Sequence, residues 1–205
     1  MPFAMRDRIV NLVRDRITYA FSEELGGGMT SASGLPPIRL RAEPLTSDDF
    51  APFGQVLGPG IGASRLIRDN TVRLTNTPSC LTHTDAATRA EIDIYEVTGK
   101  ASPVVCTRIE RHPLSAQMFV PQMSVSSAHA CWMVAVWPDG PEGPVRAFVA
   151  RAGQGVVYKR GIWHQGIIAL EIDMQFVSMM FRGDDTQDTE FHTLSRAVAF
   201  EIGDP

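Results

Sequence analysis

The chain has 205 residues, 44% apolar and 20% charged, enough for one domain with a sizeable core and no covalent staples. Its formal net charge of −4 excludes a general nucleic-acid-binding surface, which would be basic. Cys80, Cys106 and Cys131 form no Cys-x-x-Cys pair, no apolar run reaches membrane-spanning length, and no signal-peptide core is visible; the expectation is a cytoplasmic protein with no membrane partner.

Residues 5–25 read as a helix, because Ile9, Leu12, Val13, Ile17, Ala20 and Phe21 recur at helical spacing and Gly26-Gly27-Gly28 stop the run. Arg6, Arg8, Arg14 and Arg16 are balanced by Asp7, Asp15, Glu23 and Glu24, unlike a targeting peptide. A Gly/Ser stretch over 26–34 follows. Residues 1–35 are therefore expected to be a loosely attached helical arm and linker, with a docked helix or an oligomer contact as the other readings.

Residues 36–205 read as one domain of short strands. Strands are expected at 38–42 and 55–57, with a helical turn at Ser47-Asp48-Asp49-Phe50 and a polar loop over 58–70. Residues 92–97 alternate as a half-buried strand should, and apolar strands follow at 103–109 and 130–137. Beyond the proline-rich loop 138–144, strands are expected at 145–150, 156–158, 166–170 and 174–181, with an edge strand or short helix at 196–202. Many short strands between Gly/Pro turns predict a mainly β, antiparallel sandwich or barrel. Met174, Met179 and Met180 look like barrel packing.

The chemistry gathers between two of these strands, in Glu110-Arg111-His112-Pro113-Leu114-Ser115-Ala116-Gln117. Alternation points Glu110 and His112 to one side and Arg111 to the other. Pro113 breaks the ladder, and a turn over 114–116 brings Gln117 beside them. Further on, Lys159-Arg160-Gly161-Ile162-Trp163-His164 places a turn glycine three residues before a histidine, aimed from the opposing sheet. The spacings Glu-x-His-x-x-x-x-Gln and Lys-x-Gly-x-x-His resemble the two cupin metal motifs with some ligands exchanged. His83, His129 and His192 read as surface or rim histidines, and Trp163 and Phe119 as core or pocket wall.

Over roughly residues 40–200 the chain resembles the ureidoglycolate lyase family, also called ureidoglycolate hydrolase, a cupin-like group of allantoin catabolism. The resemblance is carried by Phe53-Gly54-Gln55-Val56, Asn70, Glu110-Arg111-His112-Pro113-Leu114, Gln117, Phe119, Pro121 and Arg146-Ala147-Phe148. It continues through Gly153-Gln154-Gly155-Val156, Tyr158, Trp163-His164 and Arg182-Gly183. The chain departs from it at Thr75 (family Arg-x-His), Lys159, Gln165 (family Trp-His-His-Pro) and Phe181 (family Asp before Arg-Gly).

The resemblance implies a cupin-like jelly-roll barrel and a lyase that cleaves (S)-ureidoglycolate to glyoxylate and urea. The alternatives are a related lyase or hydrolase on another small 2-hydroxy or 2-amino acid derivative, or a non-catalytic small-acid binding module. Glu110, His112, His164 and Lys159 are the expected catalytic groups. Gln117, Arg111, Arg160, Tyr158, Trp163, Arg182 and Asn70 are the expected contacts to a small-molecule carboxylate. No cofactor is required; a divalent metal, nickel by resemblance, would take Glu110, His112, Gln117 and His164. The resemblance suggests a homodimer, with the apolar stretch 130–137 long enough to serve as an intersheet or intersubunit surface.

Overall fold

In a computed structural model of the chain, residues 34–77, 81–122, 130–183 and 188–203 are described, and period-two apolar patterning makes nearly all of their regular structure strand. The helix expected over 5–25, Cys80 and His129 lie outside the described residues. The larger sheet runs in the order β1 (Ile38–Arg41), β15 (Glu190–Glu201), β7 (Val104–Arg111), β12 (Trp163–His164), β9 (Cys131–Trp137), β10 (Arg146–Arg151), β2 (Glu43–Pro44). A short strand, β13 (Ile168–Leu170), also pairs with β9. The smaller sheet runs β3 (Gly54–Leu57), β11 (Gly155–Tyr158), β8 (Gln117–Pro121), β14 (Met174–Arg182), β6 (Arg89–Val97). The two sheets enclose one interior, a cupin-like barrel of the jelly-roll type.

Four local expectations are corrected. The pairing is not wholly antiparallel, since β1 joins β15 and β2 joins β10 in parallel. These pairs unite distant parts of the chain, so no hairpin dictates their direction. The loop over 58–70 contains β4 (Ala63–Ile67), which pairs with β5 (Val72–Asn76) in a separate ribbon; the turn between them holds Arg68, Asp69 and Asn70 at positive φ. Residues 196–202 belong mostly to β15, which lies between β1 and β7 and is not an edge. Met179 faces the outer side of the smaller sheet, while Met174 and Met180 are buried.

β9 explains why the barrel has two cores. Trp132, Val134 and Val136 pack into the barrel interior, whereas Met133, Ala135 and Trp137 pack into a second cluster on the other face. An apolar run on both faces of a strand demands a layer on each side, so this stretch is not available as the dimer surface expected of it. The interior is plugged with aromatic rings. Trp132 and Phe176 meet edge-on at 5.0 Å, and Phe50 lies within 6.0 Å of Phe53, Phe148 and Tyr158. Phe50 is delivered by the expected helical turn α1 (Ser47–Phe50), whose first turn is capped by Thr46, its Oγ1 accepting from Asp49 N at 3.1 Å.

Candidate active site

Glu110 stands opposite Phe191 on one neighbouring strand and His164 on the other, and His164 in turn lies opposite Val136 of the barrel core. Directly opposed residues share a sheet face, so Glu110 and His164 both point into the barrel mouth. Two placements differ from the sequence reading. His164 shares the larger sheet with Glu110, whereas Gln117 faces them from the smaller one. Pro113 ends β7, and the chain crosses between the sheets over 112–116 instead of folding back. Gly161, at φ 79°, makes the turn before His164, and its N–H donates to the His112 carbonyl at 2.9 Å, pinning the two motif halves together.

Both imidazoles are oriented from behind. His112 Nδ1 donates to the Asp188 carbonyl at 2.6 Å, and His164 Nδ1 donates to the Ile162 carbonyl at 2.9 Å. A carbonyl can only accept, so the proton sits on Nδ1 and each Nε2 keeps a lone pair. His112 Nε2 is buried without a hydrogen-bond partner among the described residues. His164 Nε2 faces Gln117 Oε1 at 3.3 Å and Glu110 Oε1 at 3.7 Å. Lone-pair atoms thus converge without a donor between them, an arrangement that calls for a cation or a donor-bearing ligand. Tyr158 stacks on His164 at 4.1 Å and 15° and forms the floor.

Burial dominates the electrostatics. It pushes His164 down to about 3, reinforced by neighbouring His112, and lowers His112 against the opposing pull of its Asp188 bond. Burial also raises Glu110 above the ordinary carboxylate range, with Arg108 and then Arg182 pulling the other way. Neutral histidines beside a carboxylate suit a metal. Donor atoms of Glu110, His112 and His164 lie within 4.8 Å of one another, a small side-chain movement from the spacing that bonds of about 2.1 Å require. The donor set of imidazole, carboxylate and amide oxygen favours a borderline first-row ion. The residues present therefore fit such an ion.

Several expected contacts lie elsewhere. Arg111 points away, paired with Glu190 at 2.6 Å and lying over the Trp163 ring at 4.7 Å. Trp163 itself belongs to the second core. Lys159 Nζ donates to the carbonyls of Ala51 and Pro52 at 2.7 and 3.0 Å, which removes it from a catalytic role in this arrangement. Arg160 is exposed on the turn, and Asn70 sits at the tip of the β4–β5 ribbon. Arg182 is the expected cation that remains: it lies on the interior-facing side of β14, 3.4 Å from Glu91, and its charge reaches Glu110, His112 and Asp188.

The departures from the family pattern also fall off this constellation. Gln165 accepts from the Cys106 thiol, whose pKa burial pushes up to about 12. Phe181 stacks on His83 at 4.1 Å, and Thr75 bonds Ser64 within its ribbon. Two contributors were missed. Arg108 is two residues before Glu110, so the alternation that selected Glu110 and His112 selects it as well. Asp188 left no signal: it lies 76 residues from His112 in sequence, yet its carbonyl orients that ring and its Oδ1 accepts from Leu114 N at 2.7 Å.

Comparison with known proteins gives one family. The ureidoglycolate lyase family model matches residues 37–201. A ureidoglycolate lyase of Brucella melitensis is 36% identical over 164 residues, which is 79% of this chain and 94% of that protein. One from Burkholderia cepacia is 33% identical over 172 residues, 83% of this chain and 93% of that protein. Among solved structures, an rmlC epimerase of Mycobacterium tuberculosis aligns with a TM-score of 0.38 and 12% identity, over 80% of this chain and 84% of that one.

Proposed function

The chain belongs to the ureidoglycolate lyase family, and we infer that it cleaves ureidoglycolate to glyoxylate and urea, a step of allantoin catabolism. The observation that carries the site assignment is the meeting of His164 Nε2 with Gln117 Oε1 and Glu110 Oε1, beside the His112 Nε2 that has no partner among the described residues. The substrate brings what these atoms lack. Its carbon bears a hydroxyl and a ureido N–H, both donors, next to a carboxylate.

Glu110 takes the hydroxyl proton, the oxygen's electrons form the aldehyde carbonyl, and the carbon–nitrogen bond breaks with its electrons going to nitrogen. The same carboxyl then returns a proton to that nitrogen, releasing urea. A carboxyl raised by burial suits both transfers, because it gives up and regains its proton more readily near neutrality than an ordinary one. The histidines, lowered by burial, are poor bases; they accept hydrogen bonds that orient the hydroxyl and ureido groups. Gln117 orients the urea, and Arg182 holds the carboxylate. A divalent ion, nickel by family resemblance, would be held by Glu110, His112, Gln117 and His164 and would supply charge that polarises the substrate oxygen.

The test is release of urea and glyoxylate by wild type, Glu110→Gln and His112→Ala, each with and without a chelator. Loss of turnover in both folded variants supports the assignment, and full activity in Glu110→Gln overturns it. Activity that falls with chelator and returns with nickel places an ion in the site.

The homodimer is proposed to form on the outer face of the smaller sheet. There Ile92, Met179 and Met118 stand in one cross-strand row and Ile94, Val177 and Val120 in the next. Ile92 and Ile94 are 70% and 57% exposed, which is unusual for side chains aligned in such rows. Sedimentation equilibrium should give a dimer for wild type and a monomer for Ile92→Glu; a wild-type monomer removes the proposal. We propose residence in the cytoplasm from the odd number and wide spacing of the three cysteines in the sequence; no described helix is long and apolar enough to cross a membrane.

A further inference from the structure

We propose that Arg108, seated on the ring of Phe191, is a second substrate-binding guanidinium that holds the substrate carboxylate jointly with Arg182. The proposal rests on the lyase reading above and names a residue for the substrate's anionic end. Three observations support it. First, Arg108 precedes Glu110 by two residues on β7 and lies opposite Thr193, as Glu110 lies opposite Phe191, so all four share the face that carries His164. Second, the Arg108 guanidinium carbon lies 3.9 Å from the centre of the Phe191 ring, which fixes the planar group at the mouth while leaving its edge nitrogens free to donate. Third, among the described residues no carboxylate lies within ion-pair distance of Arg108, although it is exposed beside the half-buried Glu110.

Charge bookkeeping supplies the need for it. A substrate carboxylate enters next to Glu110, adding a second negative charge to a site of low polarity. Arg182 already faces Glu91 at 3.4 Å and also acts on Glu110 and Asp188. One guanidinium so engaged cannot neutralise the incoming carboxylate as well. A second one offers the planar, two-pronged donor pair that carboxylates prefer. Phe191 is then a positioning residue: 44% exposed, a large apolar ring would gain by burial elsewhere, yet here it forms the bed on which Arg108 lies.

The experiment compares wild type, Arg108→Met, Arg108→Lys, Phe191→Leu and Phe191→Tyr in steady-state ureidoglycolate cleavage, with oxalate and urea as inhibitors. Loss of a ground-state carboxylate contact should raise KM about 10-fold or more in Arg108→Met, with kcat within about 3-fold. Oxalate inhibition should weaken by a similar factor while urea inhibition is retained. Arg108→Lys should recover only part, since a point charge replaces a fork. Phe191→Leu should raise KM by about 3-fold and Phe191→Tyr should restore it, a rescue that mere packing at an exposed position does not require. Unchanged KM and unchanged oxalate inhibition in Arg108→Met overturn the proposal. If wild type does not turn over ureidoglycolate, the lyase reading fails by itself. Calorimetric binding of oxalate to wild type and Arg108→Met then decides the clamp, with equal affinities overturning it. Melting temperatures of all variants identify any that lose the fold, in which case Arg108→Lys carries the comparison.

Discussion

Phe119 and Gln117 are two residues apart on β8 and point into the same barrel, yet they meet opposite surroundings. Phe119 lies edge-on to Tyr95 and Tyr158, within the interior cluster that includes Trp132, Phe148 and Phe176. Gln117 lies among the lone pairs of His164 and the thioether of Met180. β14 repeats the contrast, with Phe176 fully buried among rings and Arg182 at the mouth on the same face. Apolar rings satisfied by contact hold the barrel together. Polar groups buried without donors reduce its stability and are therefore retained for what they bind.

The sharpest way to break this contrast is to remove chemistry without removing packing. Glu110→Gln keeps shape and hydrogen-bonding capacity but cannot carry the proton, so turnover should fall by about 10²- to 10⁴-fold. The sign for stability runs the other way. The folded value of Glu110 lies above its unfolded one, so its favourable contribution is complete below about 4.5 and lost as pH rises through the raised value. At neutral pH that contribution is reduced or lost, because ionising Glu110 is harder in the folded chain than in the unfolded one; Gln carries no such cost, and the variant should melt at an equal or higher temperature. A large fall in melting temperature would make Glu110 a structural residue.

At the apolar end the signs reverse. Phe176→Ala empties space beside Trp132 and should cost about 3–5 kcal/mol of stability. Any protein still folded at low temperature should keep a KM close to that of wild type, because Phe176 touches none of the mouth groups. A variant with normal stability but altered KM would erase the division.

pH gives a smaller, graded test of the mouth. His164 is held at about 3 in the folded chain against about 6.5 when unfolded. Between these values the unfolded chain binds a proton that the folded one refuses, so stability falls as pH drops from 6.5 toward 3. His112 shifts in the same direction and adds to the fall; Glu110 opposes it only from its raised value down to about 4.5, below which its contribution is complete. His164→Asn removes one titrating group, and its denaturant midpoint should decline less steeply with acid than that of wild type, by up to about 1.4 kcal/mol per pH unit. Parallel profiles would mean that His164 titrates normally.

What the sequence made legible follows from the range of its rules. Alternation is local, and it correctly joined Glu110 with His112 and turned Arg111 outward, while applied one step further back it also selects Arg108. Gly161 correctly marked the turn before His164. Sheet membership is not local. Gln117 and His164 exchanged sheets relative to expectation because the crossing after Pro113 depends on which strands pair across the whole domain. Lys159 was attractive by charge, yet two carbonyls at the end of α1, over a hundred residues away, claim it. The stretch 130–137 left an intersheet and an intersubunit surface open, and its burial on both faces is that of the intersheet strand.

The smallest effect is expected from the chain's beginning. The family match starts at residue 37, and among the described residues the first strand of the two sheets begins at Ile38. Among the described residues both cores are built beyond that point, and Leu35 and Ile38, next to it, are 52% and 42% exposed. The stretch 5–25 has balanced charge and is set apart by glycines, so we propose that it is an appended arm. Deleting residues 1–28 should therefore leave KM unchanged and shift the melting temperature by no more than about 1 °C, under the roughly 2–4 °C that accompanies 1 kcal/mol in a domain of this size. Two results would change the picture in different ways. A loss of many degrees at every protein concentration would place the arm against one of the two cores. A loss seen only at low concentration, with a fall in molecular mass, would place it in the contact between copies, because dissociation then lowers the apparent stability.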